Sequence, residues 1–195
     1  MPLKLIKTVD AATDVVSDAE LKLFAKIDEG DDDAIVTALN ATATDYVADR
    51  MERAFVTETW ELSLDAWPLN GCPIELCRVP AIAITSISYI DTDGNSQTLA
   101  SSQYTLDDKA EPAAIYRAYQ VTWPTVRNVV NAITVTFTVG YGTAASATPE
   151  KFKEIIKLYF SHLYEHREPT ADKTWKDVPH TLEDLLTKYE LKVIG

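Results

Sequence analysis

The chain has 195 residues, 46% of them hydrophobic, and its 30 acidic side chains outnumber 18 basic ones to give a formal charge of -12 at pH 7. That length and apolar content are enough to build a core without covalent staples. No apolar run approaches the roughly 18 residues that a bilayer span needs, and the negative field opposes a firm grip on nucleic acid or an anionic membrane surface. The opening MPLKLIKTVD lacks the apolar centre of a signal peptide, which points to synthesis in the cytoplasm.

The first forty residues read as helical and acidic. Ser17 followed by Glu20 has capping-box spacing and predicts a short helix with Leu21, Phe24 and Ile27 inward, ending near Gly30. The acids around that glycine, Asp28, Glu29, Asp31, Asp32 and Asp33, do not follow the alternating ligand spacing of an EF-hand and read as caps and solvated charges. A second helix is expected over 33–54, with Ile35, Leu39, Ala43, Val47 and Met51 as its inner stripe. Arg50 and Arg53 near its end read as solvated charges at the negative pole of the helix.

At Phe55 the hydrophobic period changes from helical to pleated. Trp60, Leu62 and Leu64 alternate with polar residues, Ile74 and Leu76 mark a short strand, and 82–89 forms a longer one whose inward face switches near Ser86. Asp93-Gly94 is a hairpin signal. Short extended pieces follow at Tyr104 to Leu106 and Ala114 to Tyr116. In the strand Ile133 to Val139, Ile133, Val135, Phe137 and Val139 share one face and three threonines the other; it is expected to close the sheet. Gly140 and Gly142 then let the chain turn. Thr148 is the expected N-cap, with Pro149 in the first turn, of a helix striped by Phe152, Ile155, Ile156, Tyr159, Phe160, Leu163 and Tyr164. Pro169 stops it, and a last short helix carries Leu182, Leu185, Leu186 and Tyr189.

These patterns give an α+β fold: a helical bundle formed by N- and C-terminal helices, with an inserted small antiparallel β domain. The expected bounds are 1–56 and 144–195 for the helical core and 57–143 for the insert.

Residues for chemistry are sparse. Cys72 and Cys77 lie five apart, roughly 16 Å if extended at ~3.3 Å per residue, too far for bridged Cα atoms, which lie within ~7 Å; two free thiols are expected. His162 and His166 share a helix face, but Leu163 stands where a zinc protease places its glutamate. Gly140-Tyr141-Gly142 lacks the lysine of a phosphate loop. No catalytic, cofactor or metal site is expected. Trp123 and Arg127, in the loop before the core strand, are candidate interface anchors. An aromatic-rich sheet also admits a small-ligand or carbohydrate-binding module.

The order of segments narrows the choice. TETWELSLDAWP, IELCRVPAIAITSISYIDTDG, YTLDDKAEPAAIYRAY, WPTVRNVVNAITVTFTVGYG, TPEKFKEIIKLYFSHLYEHRE and VPHTLEDLLTKYE together resemble the head-tail connector (adaptor) proteins of long-tailed double-stranded DNA bacteriophages, prophages and gene transfer agents. The resemblance implies a non-enzymatic virion protein of the neck, assembled as a twelve-subunit ring beneath the portal protein after DNA packaging. Such a ring extends the DNA channel without specific DNA binding and offers a platform to a neck or tail completion protein. Two contact surfaces are expected: an apolar C-terminal arm docking on the portal (Tyr189, Leu191, Val193, Ile194), and ring contacts at Trp123 and Arg127.

Overall fold

The computed structural model describes residues 4–28, 30–166 and 180–191. Among the described residues, eight strands and four helices follow one another as β1 (Lys4–Val9), α1 (Asp18–Ala25), α2 (Asp33–Met51), β2 (Glu58–Leu64), β3 (Ile74–Leu76), β4 (Ala81–Ile90), β5 (Ser96–Thr98), β6 (Tyr104–Asp107), β7 (Ala113–Arg117), β8 (Ile133–Val139), α3 (Glu150–Glu165) and α4 (His180–Tyr189). The fold is α+β, and every strand pairing is antiparallel. It divides into a β unit, residues 1–11 with 57–141, and a helical unit, residues 12–56 with 142–195.

In the β unit a five-stranded sheet has the order β1-β2-β8-β4-β5, and a separate three-stranded sheet the order β3-β7-β6. Strand β8, the last in the chain, is therefore the central one of the five. Its alternation holds without exception: Ile133, Val135, Phe137 and Val139 are buried and the threonines between them half-buried. Trp60 and Leu62 of β2 lie opposite Phe137 and Val135, and both are buried. The face switch in β4 is a register irregularity between Ile84 and Ser86, as an extra residue in one strand produces. At the hairpin, the Asp91 carboxylate accepts the Asn95 N–H at 2.8 Å, and Gly94 takes a φ of +92.

The helical opening expected for the chain is instead a strand. Lys4–Val9 pairs with β2, and Lys4 reaches the Asp65 carboxylate at 2.7 Å. Strand identity comes here from a partner more than fifty residues away.

In the helical unit the Ser17–Glu20 capping box forms in both directions. Leu21 is buried while Phe24 stays exposed, and α1 stops at Ala25, with Lys26 left-handed. The buried stripe of α2 is Val36, Asn40, Ala43, Val47 and Met51, with Ile35 outside it. Asn40 shifts the phase because its side chain serves a buried acceptor. Its Nδ2 donates to the Val16 carbonyl at 2.9 Å and to Asp18 at 2.8 Å. Thr148 does not cap α3. Its buried hydroxyl donates to the Phe55 carbonyl at 3.0 Å, and Pro149 takes the cap position. On α3, Phe152, Ile155, Ile156 and Phe160 are fully buried, while Tyr159, Leu163 and Tyr164 are half-buried.

Replacing Asn40 by Ala leaves the buried Val16 carbonyl without its donor. The expected loss is about 1–3 kcal/mol, read as a shift of the urea midpoint with the slope unchanged.

Candidate interaction surfaces

Strand β7 ends at Arg117, and the loop to β8 then runs back along residues 65–71. Three contacts fix the alignment. Asn131 N–H donates to Asp65 at 2.7 Å, Trp123 stacks on Trp67 with ring centres 4.5 Å apart, and Arg117 lies over Gly71. Trp67 Nε1 donates to the Pro124 carbonyl at 2.8 Å, so the stack is tied to backbone as well. Trp123 is thus a packing residue of this strip, with its Nε1 buried and unpartnered. Arg127 anchors the loop differently: its N–H donates to the Ile90 carbonyl at 2.9 Å, while its exposed guanidinium lies over Gly94. The two residues expected at the ring interface therefore share a loop but not a role.

Along the same strip, Tyr119 is 90% exposed, Leu69 80% and Val130 71%. These three carry no sequence periodicity, and nothing in the sequence distinguished them from loop residues under cover. Trp60 differs again. It is buried, with Arg78 over its ring at 4.4 Å. Each of Trp60, Trp67 and Trp123 therefore has a ring face already covered, which disfavours an aromatic platform for a sugar.

In the helical unit, Tyr189 and Leu191 belong to internal packing. Leu191 is buried and its N–H reaches the Met51 carbonyl; the Tyr189 ring meets Phe152 edge-on at 5.7 Å and sits under Lys151. Arg53, expected in solvent, is buried and donates to the Tyr189 carbonyl at 3.2 Å, while Arg50 pairs with Glu190 at 2.5 Å. Val193 and Ile194 lie outside the described residues.

At the end of α3, His162 and His166 stand with ring centres 4.7 Å apart. Among the described residues, no group of three or more His, Cys, Asp or Glu side chains comes together to hold a metal, and no helix is long and apolar enough to cross a membrane. Neither Cys72 nor Cys77 is in a disulfide.

No family model matches the chain, and no curated protein sequence does. Solved structures do match in fold. A chain of the virion of a native gene transfer agent (GTA) particle superposes with a TM-score of 0.77 at 20% identity, covering 98% of each chain. A chain of the neck of an empty GTA particle, computed with C6 symmetry, gives 0.77 at 20%, covering 98% of this chain and 97% of that one. One of the neck of a native GTA particle, computed with C12 symmetry, gives 0.67 at 21%, covering 100% and 98%. At that coverage the match takes in residues of both units.

Burial pushes the His162 imidazole below its ordinary value of 6.5; His166 adds to the push and Glu165 opposes it. With the folded value below the unfolded one, the unfolded chain takes up the proton first as pH falls. Stability should thus be complete above pH 6.5 and decline below it, and His162→Gln should flatten that decline in thermal melts. Gly94→Ala places a Cβ at a left-handed φ and against the Arg127 guanidinium; the expected cost is about 1–3 kcal/mol by urea denaturation.

Proposed function

We propose that this chain is a structural component of the neck of a tailed, phage-like particle. It forms a ring of twelve copies beneath the portal after DNA packaging, extends the DNA channel, and gives the next neck or tail protein a platform. The observation that carries the reading is fold agreement over 98% of the chain with GTA virion and neck chains, at a TM-score of 0.77. The symmetry with which those necks were computed, sixfold and twelvefold, supports a closed ring here. A charge of -12 suits a channel wall that DNA slides past, because a repelling surface offers phosphates no foothold. In this role the chain works by contact with other surfaces and turns over no substrate.

The contact residues follow from what is already used inside the chain. Arg127 is free to meet a neighbouring copy, whereas Trp123 holds the loop through its stack on Trp67. Tyr189 and Leu191 close the helical unit, so a portal-docking arm begins after Leu191, at residues 192–195. Three results test this assignment. Purified protein mixed with the matching portal should give twelvefold rings by electron microscopy, and portal that stays bare would sink the assignment. Deleting residues 192–195 should leave the melting temperature unchanged and abolish portal binding. Deleting 189–195 should instead lower stability by at least the ~1.5–3 kcal/mol of one buried apolar side chain; equal stability of the two deletions would return Tyr189 and Leu191 to the docking surface.

A further inference from the structure

In the β unit, Lys4, Lys7 and Lys109 each pair with a carboxylate, and Arg78 packs on Trp60. Arg117 and Arg127 remain: both are exposed, and neither makes an ion pair or a side-chain hydrogen bond among the described residues. Their guanidinium groups are nevertheless placed. Nη2 of Arg117 lies 3.2 Å from where a Cβ would stand on Gly71, φ +76, and the Arg127 guanidinium closes over Gly94 in the same way. Two glycines thus give two cations a seat on backbone, without an acid to neutralise either. Both arginines border the strip on which Tyr119 and Leu69 are the most exposed apolar side chains. Tyrosine and arginine over a small apolar area is the composition that carries binding energy in protein interfaces.

The complementary surface is on the chain itself. The outward face of α2 shows Ala34, Ala38, Ala41, Asp45 and Asp49, all exposed, and Glu52, also exposed, follows as its left-handed C-cap. The five helical positions recur at intervals of three and four, so they form one stripe, and Glu52 adds a carboxylate at its end. Small side chains at one end admit an aromatic ring closely, and carboxylates at the other end meet guanidinium groups.

We propose that the Arg117–Arg127 strip of one copy docks on the α2 face of a second copy, the aromatic tip over the alanines and the arginines on the acids. The inference rests on the ring reading and names the two surfaces that join head to tail. A polyanion is the competing occupant, but the charge of -12 on each copy opposes one, whereas the second copy supplies its acids locally.

Charge reversal tests the contact on the full chain. One variant carries Arg117→Glu and Arg127→Glu, the other Asp45→Lys, Asp49→Lys and Glu52→Lys, and circular dichroism verifies that each is folded. Each surface pair is then like-charged within either variant but opposite between the two. In native mass spectrometry each variant alone should associate at least about tenfold more weakly than wild type, and an equimolar mixture should recover to within about threefold. Either variant associating like wild type, or a mixture that stays apart, overturns the contact and leaves the ring standing. Wild type that stays monomeric at every concentration and on portal overturns the ring itself, and this contact with it. Loss of duplex DNA retention by the arginine variant with association unchanged would assign the strip to nucleic acid. Salt gives a readout that needs no variant: association of wild type should weaken about tenfold between about 0.05 M and about 0.5 M, and salt-independent association overturns the proposal.

Discussion

Strand β8 bonds to β2 along its whole length and to β4 on the other side, so the five-stranded sheet is built outward from Ile133–Val139. Side chains of a strand alternate strictly, and a slip of one residue would carry Ile133, Val135, Phe137 and Val139 to the face now held by threonines. That prospect fixes the register of both neighbours, since Phe137 must meet Trp60 on one side and Ile84 on the other. With β8 seated, β1 and β5 can only be edges, and the sheet leaves one open strand at each side. The loop leading into β8 inherits the constraint. Asn131 is held to Asp65 two residues before the strand begins, and this positions the strip that carries Trp123, Tyr119 and the two arginines.

The helical unit is fixed by polar groups as much as by apolar ones. Asn40 joins α2 to the start of α1 through the Val16 carbonyl, Thr148 joins the start of α3 to Phe55, and Arg53 joins the end of α2 to the end of α4. The first two bonds are buried and the third partly so, and for a buried group an unmet partner costs more than a met one gains. Apolar side chains such as Phe152 and Phe160 provide most of the driving force, but these three bonds choose one arrangement among those that burial alone would accept. Tyr189 and Leu191 belong to that arrangement, through the edge-on contact with Phe152 and the bond to the Met51 carbonyl.

What the sequence disclosed was whatever depends on near neighbours. The alternation of β8, the Ser17–Glu20 box and the Phe152–Phe160 stripe are local patterns, and all three are present. What it concealed depends on distant partners. KLIKTV became a strand only because β2 offers it an edge, and Ile6, 63% exposed, gave no sign of a core. Arg53 looked solvated because its acceptor is 136 residues away. Thr148 had the right spacing for a cap, yet the buried Phe55 carbonyl claimed its hydroxyl. The candidate interface was half legible: the Trp123 to Arg127 loop stood out, but the sequence could not separate the tryptophan that packs from the arginine that is left over.

That leftover charge is informative because the chain is rich in acids. With 30 carboxylates against 18 cations, an exposed arginine that lacks one is not short of candidates. Asp91 stands in the very turn over which Arg127 lies, but its carboxylate is engaged by Gln97 and by the Asn95 and Asp93 N–H groups, which hold it below the usual carboxylate range. The turn is therefore completed by its own amides and leaves the guanidinium uncommitted. Exposed ion pairs add little stability in any case, so pairing Arg127 internally would gain the fold almost nothing. Without an ion pair among the described residues and seated on a glycine, the same group can give a neighbouring surface both charge and a planar set of donors.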